Sequence, residues 1–141
     1  METTILIIDD EPDMLEVLAY NLRRTAHRVI TAANGREGLR CSQLALPDLI
    51  ILDLMLPDLD GLAACEILRR LPSTRGIPIL MITALSGQKV RRLRSRCEAD
   101  VFMRKPFRLQ TLLDQVDRML GAKAVASHEL DGRSSSPANP S

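Results

Sequence analysis

The sequence predicts an α/β fold in which helices cover both faces of a parallel β-sheet, and three observations support it. Short apolar runs alternate five times with amphipathic segments along the 141-residue chain. Several of these runs end directly in a polar residue, as buried parallel strands do at their C-terminal tips. Prolines and one asparagine-glycine pair mark turns between the segments. Regular alternation of strands and helices is typical of a parallel sheet with helices on both faces.

Each element follows from a local pattern. The first helix opens at Pro12, because proline is well tolerated at the first helical position, and the apolar residues that follow have amphipathic spacing. Asn34-Gly35 precedes the second helix, and a loop containing Pro57 ends at Gly61 before the third. The strands are predicted at about residues 4–9, 28–31, 49–52, 79–82 and 101–103, and the later helices at about 35–44, 62–71, 88–97 and 109–120.

The last 18 residues differ from the rest of the chain. The segment Ser134–Ser141 consists of serine, proline, alanine and asparagine, and it cannot bury enough apolar surface to offset the entropy of ordering. We predict one domain at residues 1–123, followed by a disordered tail or linker at residues 124–141.

Composition is that of an ordinary globular domain, with 45% hydrophobic and 26% charged residues. The N-terminus does not have the pattern of a signal peptide, and no apolar stretch approaches the ~20 residues of a membrane-spanning helix. Cys41, Cys65 and Cys97 are far apart and match no metal-ligand spacing, so we expect reduced thiols that are buried or partly buried in a cytoplasmic protein. Residues 1–60 carry 5 basic and 11 acidic side chains, whereas residues 61–123 carry 13 basic and 5 acidic ones.

Chemically active residues follow four of the predicted strands. Asp9 and Asp10 follow the first, Asp53 the third, Thr83 ends the fourth, and Lys105 follows the fifth. Ligands of open α/β sheets bind outside the strand tips, so these side chains would form one site. Three nearby carboxylates repel one another unless a cation lies among them, and Mg²⁺ suits such oxygen ligands.

This set of residues fits phosphoryl transfer. The Asp53 carboxylate can accept a phosphoryl group as an aspartyl phosphate. Mg²⁺ and Lys105 would neutralise the phosphoryl oxygens, and Thr83 would donate a hydrogen bond. The plainer alternatives are a turn role for the aspartates, a helix cap for Thr83 and a surface position for Lys105, but these would have to coincide at successive strand ends.

Four motifs make the chain resemble a response-regulator receiver domain of bacterial two-component signalling. They are Ile7-Ile8-Asp9-Asp10-Glu11-Pro12, the segment Asp53–Gly61, Pro78–Ala84 and Phe102–Phe107. The resemblance covers about residues 3–121 and is closest to receivers of the winged-helix transcription-factor branch, within the chemotaxis-receiver-like superfamily. It implies a flavodoxin-like (βα)₅ fold with strand order 2-1-3-4-5.

The resemblance also implies a role for each matching residue. Asp10, Asp53 and the backbone carbonyl of Met55 would bind Mg²⁺ directly, and Asp9 would bind it through water. Asp53 would accept the phosphoryl group, with Thr83 and Lys105 holding it. Phe102 occupies the switch position that responds when Thr83 is drawn to the phosphoryl group. Met55 and Leu85, two residues after Asp53 and Thr83, are apolar and predict slow autodephosphorylation.

The expected partners follow from the same resemblance. A histidine kinase or a phosphotransfer protein of a phosphorelay would phosphorylate Asp53, and a downstream protein would bind the face formed by helix 4, strand 5 and helix 5. That face could also form a homodimer, although Val101 replaces an acid that many relatives use there. The basic residues of helix 4 indicate a solvated face or a partner surface. Without interleaved aromatics, they do not favour direct nucleic-acid binding.

Two other functions fit part of this set of residues. A non-phosphorylatable scaffold would not need the intact set of Asp10, Asp53, Thr83 and Lys105. A haloacid-dehalogenase-type phosphatase needs an aspartate two residues after its nucleophile, where this chain has Met55. We therefore expect a switch that catalyses only its own phosphorylation and dephosphorylation. A DNA-binding domain would need on the order of 60–100 more residues, and we expect a stand-alone regulator slightly more than a receiver cut from a longer protein.

Overall fold

The fold is described by a computed structural model covering residues 2–96 and 98–130, without the side chains of Arg94 and residues 122–130. The strands and helices alternate throughout, as predicted. The elements are β1 Thr3–Ile8, α1 Pro12–Arg24, β2 His27–Ala32, α2 Gly35–Ala45, β3 Leu49–Asp53, α3 Gly61–Arg70, β4 Ile79–Thr83, α4 Gly87–Arg94, β5 Val101–Arg104 and α5 Leu109–Leu130.

The five strands form one parallel sheet in the order β2-β1-β3-β4-β5. This order confirms the doubly wound, flavodoxin-like topology. The chain reverses its direction of winding between β1 and β3, where β2 lies on one side of β1 and β3 on the other. In such sheets the crevice outside the carboxyl ends of the strands at this point is the usual binding place.

The core consists of two layers, one on each face of the sheet. Alternate strand residues point to opposite faces, so Ile5 and Ile7 belong to one layer, and Leu6 and Ile8 to the other. The first layer contains buried residues of α1 and α5, and the second contains buried residues of α3. All residues of β3 and β4 are buried, which explains their nearly continuous apolar sequence.

Helix starts are set by local chemistry close to the sheet edge. Pro12 is the first residue of α1. The side chain of Asn34 accepts a hydrogen bond of 2.9 Å from the Glu37 N–H and caps α2. Asp60 likewise accepts a hydrogen bond of 2.8 Å from the Ala63 N–H and caps α3.

Two helix ends differ from the prediction. Helix α4 ends at Arg94, although the sequence predicted it to continue to about residue 97. Helix α5 continues to Leu130, beyond the predicted end near residue 120, so residues 124–130 of the predicted tail are helical. The alanines of this segment favour the extension, and Gly121 lowers helix stability by only about 1 kcal/mol relative to alanine. Residues 131–141, and with them the Ser/Pro-rich segment, lie outside the described residues.

Arg69 connects three segments at the edge of the sheet where the strands begin. Its guanidinium group donates hydrogen bonds of 2.9 Å to the Glu98 carbonyl and 2.7 Å to the Ile77 carbonyl. It also forms an ion pair of 2.7 Å with Asp100, whose carboxylate accepts a hydrogen bond from the Ile79 N–H. Arg69 therefore ties the end of α3 to the segments that precede β4 and β5.

Gly61 permits the close approach of α3 to β3. A Cβ atom at this position would lie 2.5 Å from both the Asp53 carbonyl oxygen and the Leu54 Cα. Because both are backbone atoms, we expect Gly61→Ala to lower the free energy of unfolding by about 1–3 kcal/mol. Chemical denaturation checks this against Gly76→Ala, whose added Cβ would meet no atom within 4 Å. Equal stability of the two variants would contradict the packing argument.

Among the described residues, Cys65 is buried and Cys41 is partly buried, as predicted. The same part of the chain contains no helix with a stretch long and apolar enough to cross a membrane.

Candidate functional site

The residues predicted to form a site meet at one edge of the sheet. Ile8 pairs with Leu52 across β1 and β3, and Asp53 pairs with Ile82 across β3 and β4. Asp9, Asp53 and Thr83 therefore lie at neighbouring strand ends. Lys105 follows β5, and its backbone N–H donates a hydrogen bond of 2.8 Å to the Thr83 carbonyl.

Three carboxylates form a compact cluster at this edge. One oxygen from each of Asp9, Asp10 and Asp53 can be chosen so that all lie within 4.8 Å of one another. Asp9 and Asp53 are buried, whereas Asp10 is exposed. The cluster thus has two fixed, shielded oxygen donors and one that faces solvent. This donor set fits a hard cation that keeps part of its water shell.

The Asp53 side chain is held in place by both of its oxygens. Its Oδ1 accepts a hydrogen bond of 2.9 Å from the Met55 N–H, and its Oδ2 contacts the Lys105 Nζ at 3.0 Å. The residue is only 4% exposed. It is the last residue of β3, at the edge of the sheet where the strands end. Asp53 is therefore a preorganised carboxylate with an ammonium group beside it.

Lys105 contacts three carboxylates at once. Its Nζ lies 2.7 Å from Glu11, 3.0 Å from Asp53 and 3.5 Å from Asp9. Burial alone would lower the pKa of Lys105, but hydrogen bonds with Glu11 and Asp53 and the nearby charges outweigh burial and raise the pKa. The ammonium group consequently stays charged across the physiological range, as a group that stabilises anions must.

Burial disfavours the charged form of the Asp9 carboxylate. Burial, together with the charges of Asp53 and Glu11, raises its pKa to about 6, against the lowering effect of a hydrogen bond from the Glu11 N–H. Lys105 opposes the shift only in part. At neutral pH the chain therefore maintains a buried negative charge that disfavours the folded state in the absence of a cation.

The cost of burying the Asp9 charge predicts a stabilising substitution. Since the folded-state pKa of Asp9 exceeds its ordinary value of 3.8, the free energy of unfolding falls as pH rises through the interval up to about 6. Without Mg²⁺ at pH 7, we expect Asp9→Asn to raise the free energy of unfolding by about 1–2 kcal/mol. Urea denaturation at pH 7 and pH 4 measures this, and the gain should disappear at pH 4. A loss of stability at pH 7 would refute the argument.

Thr83 is fully buried and belongs to a local turn rather than to the start of α4. Its Oγ1 accepts a hydrogen bond of 3.0 Å from the Leu85 N–H, and the residue at the α4 cap position is Ser86. The cap alternative for Thr83 is thus not the arrangement that the protein adopts. Phe102 lies on β5 opposite Met81 and packs, partly buried, against the core layer that contains α3.

The loop after β3 is anchored by a contact that sequence reasoning missed. The carboxylate of Asp58 accepts hydrogen bonds from the Gly35 N–H at 2.8 Å and the Arg36 N–H at 3.1 Å. Burial would raise the pKa of Asp58, but these hydrogen bonds lower it below its usual value. Asp58 therefore ties the loop containing Met55 to the N-terminus of α2. Its only sequence signal is an acid in a proline-containing loop, which does not reveal the partner.

Comparisons with known proteins agree with this geometry. A family model described as the response regulator receiver domain matches residues 5–117. The alkaline phosphatase synthesis transcriptional regulatory protein PhoP of Bacillus subtilis is 39% identical over 127 residues, covering 90% of this chain and 52% of that protein.

Solved structures give the same result. The signal receiver domain of a signal transduction histidine kinase from Syntrophus aciditrophicus is 37% identical with a TM-score of 0.80, covering 85% of this chain and 91% of its own. The receiver domain of a sensor histidine kinase from Pseudomonas aeruginosa is 29% identical with a TM-score of 0.79, covering 86% of this chain and 99% of its own. The latter structure has a magnesium ion coordinated in its active-site cleft.

Fold and site together define a phosphoacceptor domain of two-component signalling. The chain belongs to the response regulator receiver domain family, which confirms the resemblance found in its motifs. Its curated relatives include transcriptional regulators of the winged-helix branch, and the chain spans about half the length of those it matches. Receiver domains of such regulators are typically not enzymes, and receiver domains bind Mg²⁺ at an aspartate cluster.

Proposed function

We propose that this domain accepts a phosphoryl group on Asp53, in a reaction that depends on Mg²⁺, from a histidine kinase or a phosphotransfer protein. The observation that supports this most strongly is the position of Asp53, buried and held between the Met55 N–H and the Lys105 ammonium group. The fixed carboxylate can attack a phosphoryl donor without reorganising. The product is an aspartyl phosphate, and the domain turns over no other substrate.

The acid cluster is proposed as the Mg²⁺ site. Asp10 and Asp53 would bind the ion directly together with the Met55 carbonyl, and Asp9 would act through water. The buried and exposed oxygens of the cluster support this assignment. When bound, Mg²⁺ would supply positive charge to the carboxylates and to the phosphoryl oxygens.

Lys105 and Thr83 are proposed to hold the phosphoryl group. The Lys105 ammonium group already contacts Oδ2 of Asp53, so it can neutralise negative charge that develops on the phosphoryl group beside this carboxylate. The Thr83 hydroxyl would exchange its present hydrogen bond from Leu85 for one that it donates to the phosphoryl group. This exchange would move the loop between β4 and α4 and favour an inward Phe102 ring.

The face formed by α4, β5 and α5 is proposed to transmit the signal to a downstream protein or to a second copy. The exposed basic residues of α4 support a charged partner. The proposed switch domain consists of residues 1–123, and we propose that it acts in the cytoplasm. If Phe102→Ala changed neither phosphorylation nor partner binding, the switch role of this ring would be wrong.

The proposal is tested by incubating the protein with Mg²⁺ and acetyl phosphate and measuring its intact mass. We expect the mass of one added phosphoryl group. If the domain is instead a non-phosphorylatable scaffold, no mass is added. In that case Mg²⁺ and beryllofluoride, a mimic of the phosphoryl group, also fail to bind. The chain has no tryptophan, so mass rather than fluorescence is the direct readout.

The phosphorylated form is expected to be long-lived. Met55 is 57% exposed and Leu85 is partly buried, and neither apolar side chain can orient a water molecule for attack on the phosphoryl group. We expect the added mass to persist for minutes or longer after the donor is removed, and Met55→Asn to shorten this time. Leu44→Asn, an exposed apolar-to-polar change on α2, serves as control. Decay of the unmodified protein within seconds would contradict the prediction.

A further inference from the structure

Glu11 has no structural use for its carboxylate within its own helix. It occupies the position before Pro12, where side chains often cap a helix, yet its side chain forms no capping hydrogen bond. Its backbone carbonyl accepts a hydrogen bond from the Leu15 N–H, which fixes the main chain independently of the side chain. The carboxylate extends across the site instead and meets Lys105.

This ion pair is the shortest of the three that Lys105 forms. The Nζ lies 2.7 Å from Glu11, compared with 3.0 Å from Asp53 and 3.5 Å from Asp9. Lysine carries a flexible four-carbon stem, and holding it in one position costs rotamer entropy. The contact with Glu11 therefore contributes to keeping the ammonium group beside the acceptor.

The three carboxylates around Lys105 differ in their relation to the metal. Asp9 and Asp53 belong to the cluster that could hold an ion, whereas Glu11 does not. A cation among the clustered oxygens would compete with Lys105 for Asp9 and Asp53. Glu11 would remain as the carboxylate that still attracts the ammonium group.

We propose that Glu11 is a positioning residue that retains Lys105 next to Asp53 when Mg²⁺ occupies the acid cluster. The inference rests on the proposed function, because it concerns how Lys105 reaches the phosphoryl group. An ammonium group has three donors, so Lys105 keeps Glu11 with one and offers another to the phosphoryl oxygen. Glu11 acts through Lys105 and not on the donor itself.

A double-mutant cycle tests the route of action. At saturating Mg²⁺, Glu11→Gln should slow phosphorylation by acetyl phosphate about three- to fivefold, the range of an ion pair with one exposed partner. The same change should have no further effect in the Lys105→Met background, because residues that act through one contact are not additive. Asp13→Asn removes another exposed acid from the first turn of α1 and should leave the rate unchanged. An equal slowing by Asp13→Asn, or by Glu11→Gln in the Lys105→Met background, would overturn the proposal.

A second measurement does not depend on phosphorylation. The chain has three lysines, Lys89, Lys105 and Lys123, so ¹⁵N-lysine NMR can resolve the Lys105 ammonium signal. With saturating Mg²⁺, this signal should persist in the unmodified protein and in Asp13→Asn, and exchange-broaden in Glu11→Gln. Loss of the signal in the unmodified protein on adding Mg²⁺, or its persistence in Glu11→Gln, would refute the tether. The NMR measurement gives a result even if acetyl phosphate fails to modify the protein. A failure of the positioning role of Glu11 can therefore be distinguished from a failure of the proposed function.

Discussion

Asp53→Asn protein is expected to take up no phosphoryl group from acetyl phosphate in the presence of Mg²⁺. The asparagine amide is not a nucleophile for phosphorus, whereas its side-chain oxygen can still accept the hydrogen bond from the Met55 N–H. The fold should therefore remain, and the loss should be chemical. Intact-mass spectrometry over time, with circular dichroism on the same samples, separates these effects.

The matched control for this variant is Asp117→Asn on α5. Asp117 is exposed and lies on a helix whose buried residues face the core rather than the acid cluster. It should take up one phosphoryl group at the rate of the unmodified protein. If Asp53→Asn were modified as fast as this control, the acceptor would have to be another residue.

Removing Mg²⁺ is expected to have the second largest effect. Three carboxylate oxygens within 4.8 Å repel an anionic donor, and Lys105 supplies a single positive charge among them. Loss of one preorganised group that stabilises developing negative charge commonly costs about 10²–10³ in rate, so phosphorylation in excess chelator should fall at least about 100-fold. Restoring Mg²⁺ should restore the rate.

A stability measurement provides an independent check of the same site. An ion that binds only the folded state raises the free energy of unfolding by about 2.7 kcal/mol at 100 times its dissociation constant. Mg²⁺ should therefore stabilise the unmodified protein, and stabilise Asp10→Asn much less. An unchanged melting temperature and an unchanged phosphorylation rate in chelator would together contradict a Mg²⁺ site at these aspartates.

The sheet and the main site residues could be predicted because strand tips are encoded locally. A buried parallel strand requires a continuous apolar run, and the first polar residue after it must lie at the sheet edge. Asp9, Asp53 and Thr83 are such residues, and their proximity follows from the parallel pairing of β1, β3 and β4. The strand order itself came from the family resemblance.

The remaining features depend on contacts between distant segments. The carboxylate of Asp58 reaches the start of α2, and Glu11 reaches Lys105, which is 94 residues away in sequence. Neither pairing has a periodic signal, because both partners are in loops or at helix ends. Helix α5 extends beyond the predicted end near residue 120, because one glycine at position 121 costs too little to end an alanine-rich helix.

The most direct test of the account is to identify the phosphorylated residue chemically. Protein treated with Mg²⁺ and acetyl phosphate is reduced with borohydride, which converts an acyl phosphate to a stable alcohol, and its peptides are sequenced by mass spectrometry. The account predicts reduction at Asp53 alone, at a level that matches the added phosphoryl mass. Modification at Asp9, Asp10 or any residue other than Asp53 would contradict it.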